Sequence, residues 1–503
     1  MKTDAVLLVN PRMGSPRNAG LPLSIVHLAA VLDGRWPWSI VDGNLGGDSI
    51  RLALDRLAAR PHALVGVTVM PGPQVRPAIQ ISRAIRRAHP RLPIVWGGYF
   101  PTLYPDAALN APYVDCVVRG QGEATLCDLL QRVGDGPSAL RGVEGLSWKD
   151  GDRVVHNPDR PSVSPDSLPP IPYHRIADMN AYLRPSFLGS RTAVYQSALG
   201  CRFKCAFCGV VSMWNGKTVL EAPERLRAAL GLLRARWGAD AVHFFDHNFF
   251  DREETSVPML EALGTLQMPW WCYARADTLA GFGADTWRKI RKSRLRMAYI
   301  GAEAATDQAL RRMRKGSRVE HTLEVAARCR EHDVIPEFSF VLGGPEDPEG
   351  EIEETFTFIR RLKTLHPQAE IVLYFYSPTP QRRNAPLPAD GRPRLPVLSR
   401  YGPAGPALPT TPDEWTQPQW VRWVCHQDAP WLTPRIRGRV NGFAQVLSCR
   451  FPTIQDARIS RASKMVLRNL ARWRYATHRY DSPWELRVAR RLIRLREPQI
   501  ESL

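Results

Sequence analysis

The segment Cys201-Arg-Phe-Lys-Cys205-Ala-Phe-Cys208 carries three cysteines within eight residues, at intervals of four and three. It follows an apolar run from residue 192 to 199 and is preceded by Gly200, a pattern that predicts a loop at the end of a strand. Thiolates are soft ligands that suit iron–sulfur clusters, copper(I) or zinc. Three of them can hold three irons of a cubane cluster and leave the fourth iron open to a small chelating molecule.

Two other interpretations of these cysteines are weaker. A closed zinc site has four protein ligands, and the nearest downstream candidate for a fourth is His243. A packed helical stripe of thiols is disfavoured because Gly200-Cys-Arg-Phe-Lys-Cys is typical of a loop. An iron–sulfur cluster is therefore the preferred interpretation.

The spacing, with Gly200 before the first cysteine and the aromatic Phe207 before the third, resembles the radical S-adenosylmethionine (SAM) superfamily. In that family the open iron chelates the amino and carboxylate groups of SAM. Reduction of the cluster then cleaves the sulfonium to a 5′-deoxyadenosyl radical. The resemblance implies that Cys201, Cys205 and Cys208 hold a 4Fe–4S cluster.

The composition is that of a globular protein with two or three domains, because 503 residues with 44% hydrophobic and 23% charged side chains can build more than one core. No run of eighteen apolar residues predicts a membrane span. The N-terminus enters a strand without the apolar core of a signal peptide. Nine cysteines, an odd number without pairing intervals, fit a reducing compartment, so we expect a cytoplasmic protein.

Residues 1–135 alternate short apolar runs with helical patterns, which predicts a Rossmann-like, doubly wound parallel sheet of the α/β class. Ligands of such sheets sit beyond the carboxyl ends of the strands. The predicted strands span 5–9, 38–41, 64–69, 94–96 and 114–118, and the predicted helices span 23–32, 50–59, 78–88 and 123–133.

The loops at those strand ends are rich in glycine, which lets the backbone approach a flat or phosphate-bearing ligand. In their order they resemble the cobalamin-binding domain of cobalamin-dependent radical SAM enzymes. Residues 97–102 match its Gly-Gly-x-x-Pro-Thr loop, and residues 120–123 match its Gly-Glu-Gly-Glu-like turn, except that Gln121 replaces the first Glu. The resemblance implies cobalamin contacts from Asp42, Asn44, Thr68, Met70, Gly97, Gly98, Gly120, Gln121 and Glu123.

Asn44 is a departure from the pattern of cobalamin modules, which supply a histidine to cobalt from an Asp-x-His-x-x-Gly loop. Here the loop reads Asp42-x-Asn44-x-x-Gly47. An amide is a poor cobalt ligand beside an imidazole. We therefore expect cobalamin to bind without a histidine on its lower face.

Residues 136–190 predict a proline-rich connector with an edge hairpin at 153–156, and strand–helix alternation resumes over residues 191–380. About six β/α units predict a partial (β/α)6 barrel whose chemistry lies at the carboxyl ends of the strands. The predicted strands span 193–198, 241–245, 270–274, 296–300, 337–342 and 371–376.

Three ionisable residues follow these strands: Asp246, Arg275 and Glu303. An anion, a cation and a hydrogen-bond acceptor are what the ammonium, carboxylate and ribose of SAM require, although a structural salt-bridge network is also consistent. The resemblance adds Phe207, Gly343, Gly344 and Pro345 to the SAM pocket. His243 is interpreted as packing, and His247 as a side chain that faces the mouth, where contact with substrate stays open as an alternative.

The C-terminal region, residues 381–503, holds 22 Lys/Arg and 9 Asp/Glu, which is +13 of the net charge of +19. It begins with a linker to about residue 411, continues with Trp415, Trp420, Trp423 and Trp431, and is predicted to be mainly helical. The last helix places Trp484, Val488, Leu492 and Leu495 at helical intervals among arginines. Packing on the barrel, peripheral contact with anionic lipid, and contact with an acidic substrate or nucleic acid all stay open, although no nucleic-acid module is recognisable.

The resemblance implies an enzyme with three cofactors, a 4Fe–4S cluster, SAM and cobalamin. It also implies a small-molecule substrate and a flavodoxin- or ferredoxin-type electron donor. The commonest chemistry of the family is methylation of an unactivated carbon by way of methylcobalamin. The alternatives are a cyclase like the anaerobic magnesium-protoporphyrin ester cyclase, a cofactor-binding sensor, and a transfer-RNA methylthiotransferase. The last needs a second cysteine set, which Cys116 and Cys127 do not provide. No catalytic acid or base is assigned.

Overall fold

The computed structural model describes residues 4–16, 19–344, 346–376, 408–427, 431–454 and 459–493. Two sheets, each flanked by helices, are followed by a helical C-terminal region. One continuous set of buried apolar side chains extends from the first sheet through the second into the C-terminal helices. The predicted linker lies almost wholly outside the described residues, as do Pro345 and Leu495.

The first sheet has seven strands in the order β2-β1-β3-β4-β5-β6-β7, of which the first five are parallel. Strand β1 is apolar in five of six residues and buried throughout, as expected for a central parallel strand. The strands are β1 (Ala5–Asn10), β2 (Trp38–Asp42), β3 (His62–Thr68), β4 (Ile94–Gly97), β5 (Cys116–Val118), β6 (Leu146–Asp150) and β7 (Arg153–His156). The helices are α1 (Leu23–Leu32), α2 (Ser49–Ala58), α3 (Val75–Ala88), α4 (Tyr99–Leu103), α5 (Pro105–Leu109) and α6 (Glu123–Arg132).

The edge hairpin predicted for the connector belongs to this first sheet. Strand β6, which was not predicted, pairs antiparallel with β5, and β7 pairs with β6. The guanidinium of Arg119, 4% exposed, donates to the carbonyl oxygens of Leu146 and Asn157 and so ties the hairpin to β5. The sheet therefore extends past residue 135, because β5 would otherwise leave an unpaired edge.

The second sheet has six strands, all parallel, in the order β15-β14-β13-β12-β11-β8, which confirms the partial barrel. A separate antiparallel ribbon, β9 with β10, precedes and follows the cysteine loop. The strands are β8 (Thr192–Tyr195), β9 (Ala198–Gly200), β10 (Thr218–Leu220), β11 (Ala241–Phe244), β12 (Trp270–Arg275), β13 (Leu295–Glu303), β14 (Ile335–Leu342) and β15 (Glu370–Phe375). The helices are α7 (Val210–Trp214), α8 (Pro223–Trp237), α9 (Glu253–Leu266), α10 (Ala276–Ala280), α11 (Ala284–Lys292), α12 (Asp307–Arg312), α13 (Val319–Glu331) and α14 (Pro348–Leu365).

The C-terminal region packs on both preceding units. Trp415 is 2% exposed and stacks at 4.4 Å on Tyr104, while Phe443 stacks at 3.8 Å on Phe356 of α14. The predicted tryptophan patch forms a chain of ring contacts that begins at Trp415. The helices are α15 (Pro412–Trp415), α16 (Pro418–Val424), α17 (Pro434–Arg450), α18 (Arg461–Ala476) and α19 (Trp484–Ile493).

Packing on the barrel was one interpretation of the apolar stripe of the last helix, and the structure does not show it. Trp484, Val488 and Leu492 are between 51% and 80% exposed, whereas Arg490 is buried and donates to Ser448 of α17. The packing interpretation is therefore wrong for the stripe. No helix within the described ranges is long and apolar enough to cross a membrane.

Candidate active site

The cysteine loop begins where ribbon β9–β10 closes. Gly200 has φ +76°, and a Cβ there would overlap the carbonyl oxygen of Lys217 in the opposite strand. Only glycine tolerates both the left-handed backbone and this close approach. The glycine before the first cysteine therefore sets the direction in which the loop leaves the ribbon.

Asp246 holds the start of this loop from beneath. Its carboxylate accepts hydrogen bonds from the backbone of Ser197 and Ala198, at 2.7 and 2.8 Å, and from the Ser197 hydroxyl at 2.6 Å. The side chain is 0% exposed, and burial raises the pKa of Asp246 to about 6. Asp246 therefore supports the start of the loop, and the SAM contact predicted for it stays a prediction.

Two contacts from the barrel hold the middle of the loop. The Ala206 N–H donates to the Met313 carbonyl oxygen at 2.8 Å. The guanidinium of Arg275 donates to the Cys205 sulfur at 3.2 Å and lies 3.6 Å from the Phe203 ring centroid. Arg275 also donates to the Lys315 carbonyl oxygen and pairs with Asp277 at 2.8 Å. Arg275 thus lies beside the cysteines, and the SAM contact predicted for it stays a prediction.

The end of the loop is covered by the first domain. The hydroxyl of Tyr99, in the Gly-Gly-x-x-Pro-Thr loop, lies directly over Gly209, where a Cβ would overlap it. Helices α4 and α7 pack together beside this point. Burial, and then the nearby Cys208 thiol, raise the pKa of Tyr99 well above its ordinary value. A loop of the first sheet therefore contacts the cysteine loop at Gly209, the residue after the third cysteine.

Glu303 forms a buried ion pair that the sequence did not predict. Lys315 Nζ lies 2.6 Å from Glu303 Oε1, and both side chains are at most 7% exposed. Lys315 is also 5.9 Å from the ring centroid of Phe207. Glu303 has φ +64°, a strained conformation of the kind found at functional sites. The missed signal was the basic run over residues 311–318, which begins in the last turn of α12.

The glycines predicted for the adenine side contact the C-terminal region. Gly343 has φ +71°, and a Cβ there would lie 2.7 Å from Leu432; its carbonyl oxygen accepts a hydrogen bond from Trp431. The Gly344 N–H donates to Glu351 at 3.0 Å. Any ligand along this strand end would therefore meet a wall contributed by residues after 430.

The three cysteines fit a cubane better than a single ion. Within the described ranges, no three His, Cys, Asp or Glu side chains converge on one position that a metal ion could occupy. A cubane takes each thiolate on a different iron, so its ligands need not converge. Burial raises the pKa of Cys201, and that of Cys208 to about 12, so a metal is needed to hold both as thiolates.

A cavity of about 210 Å³ lies between the two sheets at the carboxyl ends of their strands. One wall comes from the first domain and includes six of the nine residues predicted to contact cobalamin: Thr68, Gly97, Gly98, Gly120, Gln121 and Glu123. The facing wall comes from the barrel side and consists of Gln196, Leu199, Met213, Trp214 and His247. The His247 side chain is exposed at this wall, and desolvation by the surrounding protein lowers its pKa, which leaves the ring neutral near pH 7.

The wall from the first domain suits a ligand with polar edges, such as cobalamin. The Glu123 carboxyl is 8% exposed, its Oε2 has no hydrogen-bond partner, and burial raises its pKa. An unpartnered buried acceptor is costly unless a ligand satisfies it. A Cβ at Gly98 would lie 2.8 Å from Thr68 Oγ1, so only glycine leaves room at this edge.

The other three residues predicted to contact cobalamin do not line the cavity. Asn44 Oδ1 accepts the N–H groups of Met13 and Gly14, at 2.8 and 3.2 Å. Asp42 accepts from Asn10, Tyr182 and the Asn44 backbone, and the Met70 N–H donates to Gln74. The amide oxygen of Asn44 is thus engaged by a neighbouring loop, in agreement with its poor suitability as a cobalt ligand.

Comparisons with known proteins agree with these two facing units. Residues 11–130 match the B12 binding domain, and residues 195–359 match the radical SAM superfamily. The chain belongs to the cobalamin-dependent radical SAM family. It is accordingly a radical SAM enzyme whose cofactors are a 4Fe–4S cluster, SAM and cobalamin.

Its relatives are distant. An uncharacterized methyltransferase of Pyrococcus horikoshii is 24% identical over 375 residues, which cover 72% of this chain and 79% of that protein. An anaerobic magnesium-protoporphyrin IX monomethyl ester cyclase of Synechocystis sp. is 23% identical over 341 residues, which cover 66% of this chain and 67% of that protein.

Two solved structures share the fold. The radical SAM methyltransferase TsrM from Kitasatospora setae, with cobalamin and a 4Fe–4S cluster bound, has a TM-score of 0.66 at 19% identity, over 97% of this chain and 99% of its own. The cobalamin-dependent SAM radical enzyme OxsB, with aqua-cobalamin and SAM bound, has a TM-score of 0.67 at 16% identity, over 99% of this chain and 77% of its own. At this identity the likeness shows the fold alone.

The meeting of Tyr99 with Gly209 yields a first prediction. Gly209→Ala places a methyl group where the Tyr99 hydroxyl lies, so the tyrosine or the cysteine loop has to move. We expect anaerobically reconstituted Gly209→Ala to lose at least half of both its iron and its retained corrin. Gly231→Ala is the control, because a Cβ there meets nothing within 4 Å. Full retention of both cofactors by Gly209→Ala would contradict the contact.

Asp246 yields a second prediction, on pH. Its pKa of about 6 in the folded protein exceeds the ordinary 3.8, so the folded state binds more protons than the unfolded state between about pH 4 and pH 6. This group therefore makes stability fall as pH rises through that window, by up to about 3 kcal/mol. Asn keeps the shape and removes the titration.

Relative to Asp246→Asn, we expect the melting temperature of the wild type to decrease from pH 4 to pH 6 and then to stay level. Ser197→Ala, which keeps the carboxyl group, is the control and should retain a pH-dependent difference from Asp246→Asn. A difference between wild type and Asp246→Asn that does not change with pH would show that Asp246 has an ordinary pKa.

Proposed function

We propose that this protein methylates an unactivated carbon of a small biosynthetic intermediate. The observation that carries the proposal is a cavity that the two domains share, with one wall from the B12 binding domain and the other from the radical SAM barrel. A substrate between these walls would meet both cofactors at once. The relatives support this choice, since several of them are methyltransferases.

When bound, the cluster with SAM supplies the radical that removes a substrate hydrogen, and cobalamin supplies the methyl group. The residues proposed to hold the cluster are Cys201, Cys205 and Cys208. Arg275 stabilises the negative charge of the Cys205 thiolate through its 3.2 Å hydrogen bond. Its second interaction, with Asp277, fixes the orientation of the guanidinium.

SAM is proposed to bind beside the Glu303–Lys315 pair. Both ions are buried, and removing either would leave an uncompensated charge, so the pair holds the strand end of β13 against the turn that carries Lys315. Phe207, Arg275, Glu303 and the strand end at Gly343 and Gly344 are the proposed contacts, and Lys315 joins them. Pro345 stays a prediction outside the described residues.

Cobalamin is proposed to bind to the first wall of the cavity. Gly98 leaves room for close approach, and Glu123 would accept a hydrogen bond from an amide or hydroxyl edge. Since Asp42 and Asn44 hold their own loop together, we propose that they support this wall without direct contact. The neutral ring of His247 on the opposite wall is available to contact substrate.

A cyclase-like reaction on a large substrate is the second candidate, because three magnesium-protoporphyrin ester cyclases are among the relatives. Methylation is preferred because the methyltransferase of Pyrococcus horikoshii matches 72% of this chain, against 66% for the Synechocystis cyclase. A methylthiotransferase stays disfavoured, since Cys116 and Cys127 lie apart, on β5 and α6, and supply no third ligand.

The proposal includes a cytoplasmic location and an external electron donor. All nine cysteines lie within the described residues and none forms a disulfide, which suits a reducing compartment. Peripheral contact with anionic lipid remains a proposal that rests on the exposed stripe Trp484, Val488 and Leu492.

The test is product analysis of the anaerobically loaded protein with SAM and a reductant. We expect retained corrin, 5′-deoxyadenosine from SAM used at the cluster, and S-adenosylhomocysteine from SAM that methylates cobalamin. Cys205→Ala should lose more than 99% of the deoxyadenosine, about a hundredfold or more, because the cluster loses one of three ligands, and should keep its corrin. Cys116→Ala, a buried cysteine of the first sheet, is the control and should keep both.

Two results would contradict the proposal. Deoxyadenosine without S-adenosylhomocysteine would favour the cyclase-like reaction, which does not use methylated cobalamin. Deoxyadenosine without retained corrin would remove cobalt from the mechanism altogether.

A further inference from the structure

Five exposed cations lie in the cysteine loop or within five residues of a group that contacts it, and we call them the cluster-side basic surface: Lys204, Lys217, Arg311, Arg314 and Arg318. None of the five forms an ion pair with another residue that the structure describes. Neighbouring cations are engaged, since Arg202 pairs with Asp251 and Arg312 with Glu351. The five are thus a positive surface that the fold itself does not neutralise.

These cations lie within a few residues of the contacts that fix the loop. The Lys204 side chain lies along Gly216, because a Cβ there would be 2.6 Å from Lys204 Cε, and Lys217 follows directly. On the other flank, Met313 accepts the Ala206 N–H at 2.8 Å, and Arg314 is the next residue. The basic surface therefore surrounds the segment from 201 to 208 on two flanks.

The loop is closed on its other sides. Asp246 and the barrel lie beneath its start, and Tyr99 of the first domain covers its end at Gly209. The cavity adjoins it at Met213 and Trp214. Among the described residues, these contacts cover the start and the end of the loop, whereas the exposed cations mark a side that solvent reaches.

We propose that the cluster-side basic surface docks an acidic one-electron carrier protein of the flavodoxin or ferredoxin type. Complementary charge accelerates and orients such encounters, and unpaired cations provide it without loss of internal ion pairs. One electron passes from the reduced carrier to the oxidised cluster; the carrier loses one electron, the cluster gains one, and no bond forms or breaks. This docking requires the iron–sulfur cluster of the proposed function, but it does not require that the reaction is a methylation.

The test compares two triple variants that change the charge equally. Lys204→Glu/Lys217→Glu/Arg314→Glu reverses the basic surface. Arg227→Glu/Lys292→Glu/Arg361→Glu is the matched control, since these three exposed cations lie on the outer helices α8, α11 and α14. Cluster reduction is followed by stopped-flow absorbance with reduced flavodoxin, with reduced ferredoxin, and with reduced methyl viologen, a small cation that needs no basic docking surface.

With both carriers we expect the first variant to be reduced about tenfold or more slowly than wild type at low salt, and the difference to shrink as ionic strength rises. Methyl viologen should reduce wild type and both variants at equal rates, and the matched control should follow wild type with every reductant. Titration calorimetry with oxidised flavodoxin should show binding to wild type and the control, and weakened binding to the first variant.

Equal rates with the carriers in all three proteins would overturn the proposal. The proposal would also be overturned if methyl viologen reduced the first variant as slowly as the carriers do, because the substitutions would then act on the cluster itself. The milder Lys204→Gln/Lys217→Gln variant replaces the first if that one does not fold, with the same criteria. If no reductant reduces any cluster, the proposed function fails, and not the docking surface alone. Tight binding of single-stranded RNA, lost in the first variant while carrier rates stay normal, would assign the surface to nucleic acid.

Discussion

The chemistry of this protein depends on how a short cysteine loop is held by groups outside it. Asp246 binds the two backbone N–H groups before the loop, Met313 binds the one at Ala206, and Tyr99 lies over Gly209 at its end. These groups come from the barrel strands, from the turn after α12 and from the first domain. The position of the cluster is therefore set by the whole fold.

The ions next to this loop are paired and buried. Arg275 pairs with Asp277, and Lys315 with Glu303, all close to the sulfurs. Breaking a buried pair typically costs about 3–5 kcal/mol, because the remaining charge is left without a partner. Such pairs are weak evidence for stability, but they keep charged groups fixed where a zwitterionic ligand would bind. The five cations of the cluster-side basic surface are instead exposed and form no ion pair with a described residue, a contrast that separates a ligand site from a docking surface.

Most of the architecture follows from the sequence, because periodicity and glycine placement are local. The five parallel strands of the first sheet and the six of the barrel lie within a few residues of their predicted positions. Strand β6 was missed, because it owes its state to pairing with β5 and not to its own pattern. Packing on the barrel was one interpretation of the apolar stripe of α19. In the structure the stripe is exposed and Arg490 is buried instead.

The candidate site was predictable in type and less so in role. Cys201, Cys205 and Cys208, with the cavity glycines, are recognised by spacing. The role of Asp246 was not, because an acid at a strand end looks the same whether it faces a ligand or the backbone behind it. Lys315 was missed because its partner Glu303 is twelve residues away in the chain. Likewise, only the structure reveals that Asn44 is engaged by residues 13 and 14.

The central claim is that both metal cofactors face one cavity in one chain. Electron paramagnetic resonance of the anaerobically loaded protein tests it most directly, with cobalamin poised as cob(II)alamin and the cluster reduced to its paramagnetic state. We expect the cob(II)alamin signal to broaden and to relax faster when the cluster is reduced, because two close spins couple. A cob(II)alamin signal unchanged by cluster reduction, in protein that holds both cofactors, would contradict the shared cavity.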